Sequence, residues 1–225
     1  MIRKAIRFTL NYFGFVLRRK THIEQADDPY HALGLLLDRK EVTTIIDAGA
    51  SNGDISQRLA NLFPLATVHA IEPYPPFHES LESLASKNKC IRPAKLALSD
   101  QNDSKSLQIN KSEGTNSLLK SSENGKEIYG DLLSTTGEVR VKSQMLDDFI
   151  HENSIEQVDL LKLDLQGSEL PALTGASEAL SEGKIKCILC EIMFQPHYES
   201  QPSASAILHE LMENHDYMLF NLYQP

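Results

Sequence analysis

Cysteine is scarce in this chain, and basic charge is outnumbered. Three cysteines are an odd number and make no disulfide framework. Cys187 and Cys190 have C-x-x-C spacing but sit inside the apolar run KCILCEI. In a strand, residues three apart point to opposite faces, so this pair neither chelates nor bridges easily and reads as core. A reducing compartment, the cytoplasm, fits that usage. Lysine and arginine number 22 against 31 acids, giving a net charge of −9. A duplex nucleic-acid surface needs a basic face, so the balance argues against nucleic acid as a partner. Long hydrophobic runs are missing too. The apolar part of the N-terminus, Phe8 to Leu17, is about ten residues broken by Asn11 and Gly14, where a membrane span takes about 20. Arg18, Arg19 and Lys20 follow in place of a small-residue cleavage site, which argues against a cleaved signal peptide.

The cations are unevenly placed. Arg3, Lys4, Arg7, Arg18, Arg19 and Lys20 fall in the first twenty residues, with no acid among them. A basic helix carrying Phe and Leu on one side would lie on an anionic membrane surface, a peripheral contact at the inner face. The alternative is a helix that covers a substrate cleft or packs on a sheet. Residues 1–40 are expected to form this basic, helical appendage, and 41–225 one globular domain.

That domain is organised around TTIIDAGASNG, residues 43–53. Thr44, Ile45 and Ile46 are β-branched and uncharged up to Asp47, as suits a strand buried on both faces of a parallel sheet. Gly49 and Gly53 bracket Ala50, Ser51 and Asn52, and Ile55, Leu59 and Leu62 then mark one face of a helix. Glycines let a ligand approach the backbone, and an acid at the strand end can grip a polar ligand. A second strand, Thr67 to Ile71, closes on Glu72-Pro73. Glu72 follows Asp47 by 25 residues, near the roughly 20 expected of an acid that binds ribose hydroxyls. Pro75 and Pro76 suit the first turn of the next helix.

Further strands are expected at Ile91 to Leu98, Val158 to Leu163, Cys187 to Met193 and Tyr217 to Tyr223. Helices are expected near 146–150, 170–180 and 205–213. Residues 101–137 are polar and rich in Ser, Asn and Gly. They read as an excursion from the sheet, partly mobile, with one short strand at Leu107 to Asn110. Strands alternating with helices predict an α/β, doubly wound sheet, mostly parallel, with helices on both faces.

The Asp-x-Gly-x-x-x-Gly turn lacks the third glycine of a dinucleotide-binding fingerprint, which argues against an NAD-dependent oxidoreductase. It resembles motif I of class I S-adenosylmethionine-dependent methyltransferases. IIDAGASNGD, AIEPYPPFHESL, VKSQMLDDFI, LLKLDLQGSELPALTGA and ILCEI together resemble the FkbM-type branch of those enzymes in order and spacing. The resemblance implies a Rossmann-like sheet and S-adenosyl-L-methionine as cofactor. It implies that Asp47, Gly49 and Gly53, with Ala50, Ser51 and Asn52 in the turn, line the methionine pocket. Glu72 with Pro73 would bind the ribose, and Leu98, Ser99 and Asp100 would lie beside the adenine. Asp164 and Glu169 fall where the family keeps acids near the donor methyl or the acceptor. Class I sheets end in a reversed hairpin, of which this chain shows one candidate strand.

Ligands bind beyond the carboxyl ends of strands in open α/β sheets. That confines catalytic candidates to Asp164, Glu191 with the nearby loop residue His197, and Ser117 in the excursion. No ligand spacing defines a metal site. The expected activity is O-methyl transfer to a hydroxyl of a sugar, glycolipid or secondary metabolite. The alternative is an inactive cofactor-binding scaffold docked to a membrane by the basic N-terminus.

Overall fold

The computed structural model describes residues 28–223. The cationic stretch at 1–20, with its membrane and lid readings, lies outside the described residues. One unit spans Leu37–Phe220 and carries both sheets. Outside it, α1 (Pro29–Leu36) begins at Asp28, whose side chain accepts from the Tyr30 amide at 3.0 Å.

The main sheet has five parallel strands in the order β3 (Ile91–Ala94), β2 (Thr67–Ile71), β1 (Thr44–Ala48), β7 (Leu160–Leu163) and β8 (Ile188–Cys190). β1 sits where the order reverses, the position at which open α/β sheets bind ligands. Side chains alternate across it. Ile46 and Ala48 join the large core with Leu161 and Leu163. That core also takes Leu146 and Phe149 from α5 (Leu146–Glu152), Leu173 from α6 (Glu169–Thr174) and Leu180 from α7 (Ser177–Ser181). Ile207 of α8 (Ala204–His209) completes it. Asp47 points the other way, toward α2 (Asp54–Leu62), where Leu59 is fully buried. Proline opens α3 (Pro75–Lys87), as the sequence suggests, because its missing N–H would have no helical partner there. The sheet is thus mostly parallel, with helices on both faces.

Three segments depart from expectation. Ile91 to Leu98 is not one strand: β3 stops at Ala94, and β4 (Ala97–Leu98) pairs with β6 (Thr135–Gln144) in a second sheet. Tyr217 to Tyr223 forms no strand, and no antiparallel strand joins the main sheet among the described residues. The Tyr217 hydroxyl instead donates to the Ile185 carbonyl at 2.6 Å, and Met218 beyond it is exposed.

The third is the polar stretch after Asp100. β5 (Asp103–Asn110) and β6 make a long antiparallel ribbon, with α4 (Glu123–Tyr129) between them. Its buried side chains are often polar. Asn110 Nδ2 donates to the Thr115 carbonyl at 2.6 Å and its Oδ1 accepts from Thr135 Oγ1 at 2.9 Å, and Gln108 Nε2 donates to Glu138 Oε2 at 3.3 Å. Leu107 and Val141 pack with Ala97 in a small apolar cluster, so the expected strand at Leu107 to Asn110 is found as half of β5, while hydrogen bonds order the polar remainder.

Candidate active site

β1 ends in a left-handed turn, with Gly49 at φ +77° and Ser51 at +50°. Gly49 is required on two counts: it is left-handed, and a Cβ there would overlap the carbonyl oxygen of Asp164 on the neighbouring loop. Beneath the turn lies Asp47, fully buried. Ser56 donates to its Oδ2 at 2.6 Å, and Lys162, its partner in the β1–β7 register, holds Oδ1 as an ion pair at 3.1 Å. The pairing is electrostatic more than directional, since Oδ1 takes no hydrogen bond of good geometry. Lys162 also donates to the Gly49 carbonyl at 2.9 Å and lies 3.6 Å from Asp164 Oδ2. One ammonium therefore ties the floor of the turn to the loop after β7.

Glu72, at the end of β2, is buried, and each carboxylate oxygen accepts one backbone N–H at 2.8 Å, from Ser51 and from Tyr74. Burial raises its pKa, while those two amides and Lys162 pull it back. Gly49, Ser51, Glu72, Pro73, Leu98, Ser117 and Asp164 line one cavity of about 260 Å³ at the carboxyl ends of β1, β2 and β7. Its apolar wall comes from Ile71, Leu96, Ala97 and Leu98, and from Leu107 and Leu118 of the ribbon.

The remaining expected residues lie off its lining. Ala50 donates its amide to Ile71 O, and Asn52 is exposed and spends both side-chain ends on Asp54. Gly53, at φ +94°, faces Leu81 and Leu84 of α3. The buried Ser99 donates to Asp100, which is ion-paired with Lys105 at 3.1 Å. Glu191 is set behind Gln166, and the His197 ring meets the Tyr129 ring edge-on at 4.8 Å, with burial lowering its pKa.

Gln166 holds the acids together. Its Nε2 donates to Asp164 Oδ1 at 2.9 Å and to Glu191 Oε2 at 3.0 Å, and its Oε1 accepts from the Tyr198 hydroxyl at 3.0 Å. The Tyr198 hydroxyl also reaches the Thr115 carbonyl, and Ser117 Oγ donates to the Gln166 carbonyl at 2.7 Å. The loops after β7 and β8 and the ribbon thus meet at one amide. Burial, then the nearby Asp164 and Glu169, push the Glu191 carboxyl up to about 8, so it keeps its proton at neutral pH. Glu169 accepts from the Leu165 amide at 2.8 Å, and burial raises it too. Among the described residues, no group of three or more His, Cys, Asp or Glu is placed to hold a metal ion.

Lys162, Gln166 and Tyr198 were not among the expected site residues. A lone lysine in the buried strand LLKLDL is a signal the sequence carries; the partners of Gln166 and Tyr198 are not. Cys187 and Cys190 are free, and Cys190 packs against the core.

A parallel sheet in this order, with its cavity at the point of reversal, is the α/β methyltransferase architecture. A crystal structure of methyltransferase FkbM from Methylobacillus flagellatus has the same fold, with a TM-score of 0.50 at 18% identity over 79% of this chain and 39% of that one. The model of the methyltransferase FkbM domain matches residues 47–219, and the chain belongs to that family. It is similar to the 2-O-methyltransferase NoeI of Sinorhizobium fredii, 26% identical over 73% of this chain and 69% of that protein. It is also similar to methyltransferase 1 of Beauveria bassiana, 28% identical over 60% of this chain and 58% of that protein.

Proposed function

We propose that this chain transfers a methyl group from S-adenosylmethionine to a hydroxyl of a sugar, glycolipid or secondary metabolite. The observation that carries the reading is Glu72. Two backbone amides aim its carboxylate, and each oxygen keeps a lone pair for a ribose hydroxyl in the cavity it lines. Gly49 and Ser51, with Ala50, Asn52 and Gly53 completing the turn, would hold the methionine part. Glu72 and Pro73 would hold the ribose, and Leu98 would wall the adenine. Asp47 and Lys162 support the turn from beneath. Ser99 and Asp100, paired with each other and with Lys105, would act behind that wall.

The cofactor, when bound, supplies a methyl group on a sulfonium. The protein's task is to hold the acceptor oxygen in line, worth about 7–11 kcal/mol when orientation is good. Asp164, on the cavity wall, would orient the acceptor hydroxyl and take its proton. Glu191, itself protonated, is a poor base at neutral pH; with Gln166 it fixes the Asp164 carboxylate. The name of NoeI, a 2-O-methyltransferase, supports oxygen as the acceptor atom.

The test is incubation with methyl-labelled S-adenosylmethionine and a panel of sugars, glycolipids and hydroxylated metabolites. Label on a hydroxyl oxygen is expected, and S-adenosylhomocysteine should bind at micromolar affinity with NAD silent. Binding of NAD, or label found only on nitrogen, overturns the reading.

A further inference from the structure

A second cavity, of about 400 Å³, lies at the amino ends of β1, β2 and β3, the opposite end of the sheet from Glu72. Residues paired across parallel strands share a face, and so do residues two apart in one strand. Thr44 pairs with Thr67, and His69 with Arg92, so these four side chains stand on one face. Phe149 of α5 meets the His69 ring there, edge-on at 5.6 Å. α5 ends at Glu152, and the loop from Asn153 to Gln157 completes the lining. His69 is 4% exposed, yet its ring makes no hydrogen bond among the described residues. Its nitrogens are not sealed off as Asp47 Oδ1 is, and the ring lines the cavity. A buried polar group left unpaired costs about 1–3 kcal/mol, so this one asks for a partner. Arg92, exposed beside it, has no carboxylate paired with it among the described residues. Burial and that guanidinium hold the His69 ring neutral at pH 7, with one nitrogen a donor.

We propose that this cavity binds a phosphate group, with Arg92 as counter-ion and His69 and Thr67 as hydrogen-bond donors. The guanidinium fork matches two phosphate oxygens, and the imidazole N–H and the hydroxyl can serve the others. Two acids stand nearby. Asp159 is taken by Lys186 at 2.7 Å and by the Thr43 and Thr44 amides. Glu156 lines the cavity but is exposed, so water and salt screen its repulsion. No lining residue is shared with the cavity at Glu72, so the inference does not depend on the methyl-transfer reading.

The experiment is calorimetric titration of the full chain with sodium phosphate, against sodium chloride at matched ionic strength. The parent is expected to bind phosphate with a Kd on the order of 1 mM and to give no binding heat with chloride. Arg92→Ala should weaken binding about tenfold or more, and Arg92→Lys less, because an ammonium keeps the charge without the fork. Glu156→Gln removes a repulsive charge and should tighten binding several-fold, an increase that a misfolded variant would not give. Glycerol 3-phosphate, run in parallel, separates the sources: tighter binding than phosphate marks a phosphomonoester as the occupant, equal binding the free ion. A parent silent toward both phosphates overturns the inference. So does an affinity unchanged in both Arg92→Ala and Glu156→Gln.

Discussion

The Lys162 ammonium lies 3.1 Å from Asp47 Oδ1, with both side chains almost wholly withdrawn from water. They are neighbours in the β1–β7 register, and the lysine also holds the Gly49 carbonyl. Removing the lysine leaves the buried Asp47 carboxylate facing only the neutral Ser56 hydroxyl, and removing the aspartate takes the nearest carboxylate from the buried ammonium. Lys162→Met and Asp47→Ala should each cost about 3–5 kcal/mol in urea unfolding, while the double change to Met and Leu should recover much of that. A loss below about 1 kcal/mol in both single variants would show that the pair is not sealed from solvent.

Glu72 makes a second test. Glu72→Ala removes the carboxylate and should weaken S-adenosylhomocysteine binding about 10- to 100-fold. Glu72→Gln keeps the shape, yet its NH₂ must face the Ser51 or the Tyr74 amide, donor against donor. The glutamine variant should therefore bind no better than the alanine one. Near-parental affinity in Glu72→Gln, measured by calorimetry, would refute this account of the carboxylate.

Glu191 should make stability depend on pH. Its carboxyl titrates near 8 in the folded protein and near its ordinary value of 4.5 when unfolded. Between those values the folded state holds the extra proton, so stability falls as pH rises. Urea midpoints should drop from pH 6.5 to 8, and Glu191→Gln should flatten that drop. Glu72 and Glu169, also raised, add slope of the same sign. A parental slope unchanged in Glu191→Gln would place the proton elsewhere.

His69 acts at the other end of the scale. Burial, aided by Arg92, lowers it from 6.5 to about 4, and its ring meets Phe149 edge-on at 5.6 Å. The unfolded chain takes up a proton below 6.5 that the folded one refuses until about 4, so stability is lost as pH falls through this window. His69→Phe keeps an aromatic ring and should remove the loss between pH 6.5 and 4. Midpoints at pH 4.5 and 6.5 in parent and variant decide it.

Much of the main sheet was legible because its strands announce themselves locally. The β-branched run at Thr44 to Ile46, the small-residue turn at Gly49 to Gly53 and the Glu72-Pro73 strand end are contiguous signals, and each structural counterpart lies within a residue or two. The ribbon after Asp100 was legible only in part: the expected strand at Leu107 to Asn110 is the second half of β5, but its length and the burial of Gln108 and Asn110 depend on partners their own neighbourhood does not reveal. Tyr217 to Tyr223 shows the reverse error. Its aromatic pattern suits a strand, but no ladder pairs it among the described residues, and the Tyr217 hydroxyl is held by the Ile185 carbonyl instead.

The sequence by itself determined most strands and helices of the main sheet, the glycine turn and the acid at the end of the second strand. These follow from periodicity, residue size and spacing, which act over a few positions. Only the tertiary structure decided what those residues do. Asp47 proves to be the buried counter-ion of Lys162, and Gln166 ties Asp164 to Glu191 and Tyr198. Burial and hydrogen-bond partnership arise between segments far apart in the chain, and the packing of β1 against β7 and of the ribbon over the cavity brings them together.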